Sequence, residues 1–288
     1  MSIIIKTKDQ IEQIKHNGKI LRDAVNKAAA LTKPGMTTAD LDKIIEDHII
    51  ANGATPTFKG YGGNKHRKPF PATICISVND VLVHGIPGPL KIKDGDIVSI
   101  DIGVTKNGCV ADSCFSYGVG NVKPEHQKLL PAAHDITMYG ISIVKPGLRV
   151  HDLATQIAEY AESLGPYTVM PDLYGHGTGI SLHEPPKIPF TRPIHFKEKI
   201  PNPKLEAGFV ITIEPVVALS SCKHQYTEDS DGWTLRTLDR SWSAQFEHVV
   251  LVTDTGSEIL TGEFLQSIPD YPPEYDTIFK ASIEDILA

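Results

Sequence analysis

Cysteine is scarce in this chain of 288 residues, and its four cysteines lack the C-x-x-C spacing of a zinc knuckle. They form no disulfide pattern either. Cys75, Cys109 and Cys114 have apolar neighbours, which predicts buried free thiols. The apolar run within residues 1–6 is too short for a signal peptide. These features predict a cytoplasmic protein in a reducing environment.

Excess positive charge and long apolar runs are also missing. The formal net charge is −7, which gives no support for electrostatic binding of nucleic acid. No stretch approaches the ~20 apolar residues of a membrane span. A hydrophobic content of 41% and a charged content of 22% are those of an ordinary globular protein. We therefore expect neither nucleic acid nor a membrane as a partner.

The most informative stretch is a predicted β-hairpin around Asn107 and Gly108, a pair that favours a two-residue turn. A two-residue turn places Gly103 opposite Asp112, and it places Asp101 on the same face of the sheet as both. The diagonal separation is roughly 7–8 Å, so the two carboxylates can converge. They repel each other unless they are protonated or bridged by a cation. Turn chemistry and a solvated sheet edge are the alternatives at this point.

An internal repeat brings further carboxylates to the same place. The Lys-Pro-Gly turn at 33–35 recurs at 145–147, each between two predicted helices, and residues 93–101 resemble residues 206–214. This predicts one domain over 1–262 with two related halves at about 7–120 and 121–255. Residues 263–288 are predicted to be a C-terminal extension. Asp101 and Glu214 are then equivalent, and a pseudo-twofold axis brings them together.

Four other segments carry groups that could act in a site. His176 lies between glycines, where the backbone is open to close approach by a ligand, and His84 and His183 precede turns. Glu247 enters an apolar run over 243–252 that predicts a buried strand, where an unpaired carboxylate is costly. Each histidine taken alone is more typical of a structural residue.

Taken together, these groups predict a metal centre. One imidazole with four carboxylates suits Mn²⁺, Fe²⁺, Co²⁺ or Zn²⁺. Four negative charges balance two divalent ions, and such a pair of ions activates water and polarises carbonyl groups. The predicted chemistry is hydrolysis. The predicted ligands are Asp101, Asp112, His176, Glu214 and Glu247.

The same residues lie in motifs that resemble those of the methionine aminopeptidases. These motifs are residues 75–87 (CISVNDVLVHGIP), the Asp101–Asp112 pair, and the short runs 175–177, 183–185, 213–215 and 245–247. The resemblance spans roughly residues 7–260. The 33 residues from Glu214 to Glu247 leave no room for the inserted subdomain of the type II enzymes, so the chain resembles type I.

This resemblance implies the α+β pita-bread fold, with two pseudo-symmetric halves around a central antiparallel sheet. It also implies a metalloexopeptidase that removes the initiator methionine from nascent polypeptides when a small residue follows. In the family the attacking group is a hydroxide bound by two divalent ions. A monomer is expected, and contact with the ribosome is left open.

The family pattern assigns a role to each matching residue. His176 and Glu214 would bind one ion and Asp101 the other, while Asp112 and Glu247 would bridge both. His183 would donate to the developing oxyanion, His84 would contact the scissile amide, and Glu214 would carry the proton. The residues that would line the methionine pocket are Phe70, Cys75 and Trp233.

The chain departs from the family pattern at the pocket. Arg67 stands where these enzymes have a tyrosine, and Leu182 stands where an aromatic residue is common. Residues 186–204 are predicted to form a solvated surface loop. Two other hypotheses stay open: a proline-specific peptidase of the same fold, and a non-catalytic binding protein. The complete ligand set favours an enzyme over a binding protein.

Overall fold

The computed structural model describes residues 3–65, 67–219 and 225–262 as a mixed α and β fold with antiparallel strands. The predicted extension at 263–288 and Cys222 lie outside the described residues. Within the described part of the chain, no helix is both long and apolar enough to span a bilayer.

The helices and strands alternate in two similar series. The helices are α1 (Lys8–Leu31), α2 (Thr38–Ala51), α3 (Pro124–Gln127), α4 (Leu129–Ile143) and α5 (Val150–Leu164), with a short 3₁₀ turn at Pro193–His195. The strands of the first half are β1 (Thr55–Pro56), β2 (Ile74–Val78), β3 (Val81–Val83), β4 (Ile97–Lys106) and β5 (Cys109–Gly118). Those that follow are β6 (Tyr167–Val169), β7 (Gly175–Gly177), β8 (Glu184–Ile188), β9 (Val210–Ile213), β10 (Val216–Leu219), β11 (Tyr226–Glu228), β12 (Leu235–Thr237), β13 (Ser243–Gln245), β14 (His248–Val252) and β15 (Ser257–Ile259).

Helix α1 packs on the hairpin that carries the two aspartates. Thr7 caps it, with reciprocal hydrogen bonds to Gln10. The buried amide of Asn17 donates to the carbonyl oxygens of Lys106 (3.2 Å) and Cys109 (2.8 Å) at the end of the hairpin. These bonds fix the helix relative to the turn.

The sequence predicts a helix over residues 124–144 with a kink at Pro131, and the structure interrupts this helix at another place. The break lies at Lys128, between α3 and α4. Pro131 lies in the first turn of α4, where a missing N–H costs no hydrogen bond within the helix. The prediction of a kink at this proline is therefore wrong.

The hairpin has the predicted register, with Gly103 paired with Asp112. Strand β4 pairs with β5 along one edge and with β2 and β1 along the other. A side chain at Gly103 would lie 2.7 Å from the ring of Phe58, which explains the glycine in this strand.

The two halves join through Glu247, whose N–H donates to the carbonyl oxygen of Cys114 (2.9 Å). The predicted single strand over 243–252 is wrong, because the chain leaves β13 at Phe246 and re-enters pairing as β14. Strand β13 pairs with β10, whereas β14 pairs with β9 in the sheet of order β15-β14-β9-β7-β8. This change of sheet positions Glu247 between the halves.

The segment 186–204 is not wholly solvated. Lys197 and Lys199 are exposed, but Ile188, Phe190 and Ile200 are buried against the protein. Burial of these apolar side chains fixes the segment on the second half, so the prediction of a solvated loop is wrong for them. The buried thiols of Cys75, Cys109 and Cys114 are free, as predicted.

Candidate metal centre and substrate pocket

The five predicted ligands line one cavity of about 410 Å³ together with His84 and His183. Asp101 comes from β4 and Asp112 from the paired strand β5. The other three come from the second half: His176 lies in β7, Glu214 follows β9 and Glu247 precedes β14. The antiparallel strands of both halves thus bring their carboxylates to a common point.

Three of these residues are close enough to share one cation. One ligand atom from each of Asp112, His176 and Glu247 lies within 4.8 Å of the others. Nε2 of His176 is 3.8 Å from Oδ2 of Asp112 and 3.5 Å from Oε1 of Glu214. Asp101 and Glu214 complete the ring of acidic groups around the cavity.

The donor atoms fit a bound cation, because two of them have no other partner. Oδ1 of Asp112 and Oε1 of Glu247 are buried, and no described residue hydrogen-bonds to them. An unpaired buried carboxylate oxygen is costly unless a cation satisfies it. Oxygen and imidazole donors in this ratio match divalent ions of the first transition row.

Burial of so much negative charge raises the pKa values of the carboxyl groups. Burial raises the pKa of Asp101 to about 7, and burial with a smaller effect of Asp101 raises the pKa of Glu214 to about 8. The pKa of Asp112 is raised well above its usual value by burial and by Asp101, and that of Glu247 by burial and by Asp112. Without cations, these carboxyl groups therefore keep their protons to a higher pH than carboxyl groups in water, which reduces the repulsion between them.

His176 is held as a neutral ligand. Burial lowers its pKa to about 3, and Nδ1 lies 3.0 Å from the carbonyl oxygen of Gly177, to which it donates. Nε2 is then the free nitrogen that faces Asp112 and Glu214. The flanking glycines are not openings for a ligand as predicted. A Cβ on Gly177 would lie 2.3 Å from the carbonyl oxygen of Pro185, so they make room for neighbouring backbone.

His183 lies beside His176, with ring centroids 4.2 Å apart, and its Nδ1 hydrogen-bonds to the hydroxyl of Tyr61. Burial lowers its pKa. The hydroxyl of Tyr61 and a neutral imidazole can each donate in this bond, and where the hydroxyl donates to Nδ1 the ring carries its proton on Nε2. The imidazole can therefore donate a hydrogen bond into the cavity.

Arg67, which we expect at a tyrosine position of the family, lines the cavity together with Tyr61, so the pocket contains a tyrosine as well. The N–H of Phe70 donates to Tyr61 and the N–H of Gly60 donates to Phe70, both at 2.8 Å. These bonds close a loop between Tyr61 and Phe70. Arg67 lies on this loop and comes in addition to the tyrosine.

An apolar cluster forms the wall of the cavity opposite part of the acidic ring. Phe70 packs edge-on against Trp233 with ring centroids 5.2 Å apart, and the indole N–H donates to the carbonyl oxygen of Lys68 (3.0 Å). The ring centroid of His84 lies 6.1 Å from that of the same indole, and burial lowers the pKa of His84 to about 4. The cluster consists of Phe58, Phe70, Ala72, Cys75, Val110, Leu182 and Trp233.

Comparison with known proteins gives this arrangement a family. Residues 12–254 match the model of metallopeptidase family M24. The methionine aminopeptidase of Clostridium perfringens is 41% identical over 260 residues, which cover 90% of this chain and 98% of that protein. Methionine aminopeptidase 1 of Bacillus subtilis is 39% identical over 260 residues, with coverage of 90% and 99%. This chain belongs to the methionine aminopeptidases of family M24.

Solved structures agree with this family. The methionine aminopeptidase of Thermotoga maritima superposes with a TM-score of 0.82 at 35% identity, covering 91% of this chain and 100% of that chain. The prolidase of Pyrococcus furiosus has a TM-score of 0.70 at 23% identity, covering 90% and 66%, and shows the shared fold alone. The predicted pita-bread fold and the prediction of a metallopeptidase, a hydrolase, are confirmed.

Sequence reasoning missed three residues around the methionine aminopeptidase cavity. Tyr61 and Phe58 both line it. Thr212 accepts from the N–H of His176 (2.9 Å) and donates to Oε1 of Glu214 (2.6 Å), so it links two predicted ligands. Thr212 lies in β9 two residues before Glu214, so both side chains point to the same side of the chain. This spacing is the signal that could have identified Thr212.

Proposed function

We propose that this chain removes the N-terminal methionine from polypeptides whose second residue is small, with the help of two divalent ions. One observation carries the proposal: an imidazole and four carboxylates surround one cavity, two carboxylate oxygens there lack partners, and an apolar wall lies beside them. The imidazole and the carboxylates provide the metal ligands that hydrolysis needs, and the apolar wall provides the surface that a thioether side chain needs.

We assign the ions to five residues. His176 and Glu214 would hold one ion and Asp101 the other, while Asp112 and Glu247 would contact both. The separations of His176 from Asp112 and Glu214 support this division. Mn²⁺, Fe²⁺, Co²⁺ and Zn²⁺ all suit the donor set.

Bound divalent ions would lower the pKa of water in the cavity and polarise the scissile carbonyl group. The protein orients the substrate around that centre. Asp101 is placed to receive the α-amine of the substrate, and the methionine side chain fits against Phe70, Cys75 and Trp233. This apolar wall selects a long, uncharged side chain, since burial of a charged group there would be costly.

Two histidines and Glu214 would complete the reaction. The Nε2–H of His183 donates to the carbonyl oxygen, where negative charge develops during attack by water. His84, on the other side of the cavity, contacts the scissile amide. Glu214 takes the proton from the attacking water and passes it to the leaving amine, as a carboxylate that lines the cavity beside the reacting atoms can do.

A panel of peptides tests the function. With Mn²⁺ present, the protein should release free methionine from Met-Ala-Ser amide, and it should cleave Leu-Ala-Ser amide and Ala-Pro-Ser amide at least about 100-fold more slowly. Release from Met-Leu-Ser amide measures the limit on the second residue. Preferential cleavage of the Ala-Pro peptide would instead indicate a proline-specific peptidase.

A variant of one ligand separates catalysis from folding. His176→Ala should lose methionine release by a factor of about 10³ or more, since one ligand of the centre is gone. Its circular dichroism should match the original protein. Full activity in this variant would refute the assignment of the centre.

A further inference from the structure

Arg67 is a cationic group in the wall of the cavity that the proposed reaction leaves without a role. Its guanidinium carbon lies 3.7 Å from the centroid of the Trp233 ring, which is the geometry of a stacked cation–π contact. Among the described residues, no carboxylate lies within ion-pair distance of it. A positive charge in a substrate cavity that lacks a protein partner is available to a substrate.

The protein holds this side chain in a defined cradle. A Cβ on Gly62 would lie 2.8 Å from the indole of Trp233, and a Cβ on Gly232 would lie 3.5 Å from Cγ of Arg67. Both glycines have positive φ angles, +70° and +75°. Gly62 therefore lets the loop approach the indole closely, and Gly232 lies in contact distance of the arginine stem.

The backbone at Arg67 is fixed as well. Its N–H donates to Oδ1 of Asn64 (2.9 Å), and its carbonyl oxygen accepts from the N–H of Asn64 (2.8 Å). The loop at 62–69 is closed at its base by the bonds between Phe70 and the pair Gly60 and Tyr61. The guanidinium is thus presented by a closed loop and by an indole face.

Among the described residues, most of the hydrogen-bonding capacity of the guanidinium is unused. The group has five N–H donors, and within residues 3–65, 67–219 and 225–262 its hydrogen bond is a long one of 3.4 Å from Nη2 to the carbonyl oxygen of Gly62. Nε is buried without a partner among the described residues. A planar fork of free donors recognises a carboxylate, which can accept two parallel bonds.

The place of Arg67 indicates which part of a substrate it meets. Its side chain is half-buried and stacks on Trp233, and His84 lies 6.1 Å from the same indole. His84 is the residue that we place at the scissile amide. Trp233 and Phe70, which line the proposed methionine pocket, are 7% and 2% exposed, whereas Arg67 is half-buried. We therefore place the methionine side chain at the buried part of this wall and the residues that follow it at the outer edge, beside Arg67.

We propose that Arg67 and the indole of Trp233 form a binding site for a carboxylate of the substrate downstream of the scissile bond. This inference rests on the proposed function. The carboxylate can come from an acidic side chain close to the new N-terminus or from the C-terminus of a short peptide. Both sources present the same planar anion.

Matched peptides test the site and distinguish its two sources. Met-Ala-Glu amide against Met-Ala-Gln amide varies the side chain alone, and Met-Ala-Gln acid against its amide varies the C-terminus alone. We expect kcat/KM to be about tenfold higher for at least one carboxylate peptide, as a charge-assisted hydrogen bond at a partly exposed site allows. The gain should appear in KM, because the contact lies away from the reacting atoms.

Variants at the loop identify the group responsible. Arg67→Gln should remove the preference while it leaves cleavage of Met-Ala-Gln amide intact, and Arg67→Lys should keep only part of it, since lysine lacks the planar fork. Lys68→Gln removes a neighbouring exposed charge and should keep the full preference. Cleavage of the neutral peptide shows that each variant is folded.

Equal kcat/KM for each peptide pair in the original protein, or a preference that survives in Arg67→Gln, would overturn this inference alone. If the original protein supplied with Mn²⁺ cleaves none of the four peptides, the proposed function fails and the carboxylate site fails with it. The neutral peptide therefore separates the two failures.

Discussion

Replacing Lys6 with methionine is expected to leave the carboxylate of Glu184 buried without its ion-pair partner. The two side chains are only 1% and 3% exposed, and Nζ of Lys6 bonds directly to Oε2 of Glu184. The other carboxylate oxygen accepts the N–H groups of Ile180 (2.7 Å) and Ser181 (2.9 Å). The pair therefore ties the N-terminal segment to the turn that precedes His183.

The expected loss is large because the charge cannot reach water. Removal of one partner of a buried ion pair costs about 3–5 kcal/mol in the free energy of unfolding. Methionine retains the apolar volume of the lysine stem, and the two N–H donors still stabilise the anion, so we expect the lower end, about 3 kcal/mol. Because the turn also carries Leu182 and His183, methionine release should slow as well.

Urea unfolding measures the effect, and two variants control it. Adding Glu184→Gln to Lys6→Met removes the unpaired charge and should restore a substantial part of the lost stability. Lys43→Met breaks an exposed pair with Asp47, whose side chains are 67% and 61% exposed, and should leave the unfolding midpoint unchanged. If Lys6→Met is as stable as the original protein, the buried pair does not hold the fold as described.

Four further predictions concern the metal centre and His183 beside it. Glu247→Gln should raise the Tm of the metal-free protein at pH 9, because a buried charge is removed. It should also reduce the stabilisation by metal, which is about 2.7 kcal/mol in the free energy of unfolding for an ion at 100 times its Kd. Thermal denaturation with chelator and with Mn²⁺ tests both effects, and an unchanged response to Mn²⁺ would contradict the ligand assignment. Because folding raises the pKa values of Asp101 to about 7 and Glu214 to about 8, the metal-free fold binds more protons than the unfolded chain and should lose stability as the pH rises from about 4 to 8. Mn²⁺ must displace the protons from these same carboxyl groups, so its affinity should decrease as the pH is lowered from 8 to 6. Calorimetry measures this affinity, and a value independent of pH would exclude the coupling. Tyr61→Phe removes the hydroxyl that fixes the ring of His183 and should lower kcat about tenfold with little change in KM; an unchanged kcat would mean that the ring needs no such support.

The sequence was informative where a local rule decides the structure. A two-residue turn leaves one register for its strands, so Gly103 had to face Asp112, and Asp101 had to share that face. The repeated turns and strands made Glu214 the counterpart of Asp101. The identities of the donors then indicated a divalent ion, since few other partners suit converging buried carboxylates.

Other features depend on contacts that no local pattern reports. The break at Phe246 arises because the chain leaves one sheet and pairs Glu247 with Cys114, a residue of the other half. Tyr61 was missed because it lies nine residues before Phe70 in the sequence, and the hydrogen bonds that join the two residues are visible only in the structure. The glycines around His176 were read as space for a ligand, although the neighbouring strands occupy that space.

The release of methionine from a Met-Gly-Met peptide tests the metal-dependent activity most directly. The protein is stripped with a chelator, assayed, and assayed again after addition of Mn²⁺, Fe²⁺, Co²⁺ or Zn²⁺. We expect no release from the stripped protein and release of one N-terminal methionine after at least one ion is restored. Absence of release with all four ions, from protein that demonstrably binds them, would contradict the assignment of this site to methionine removal.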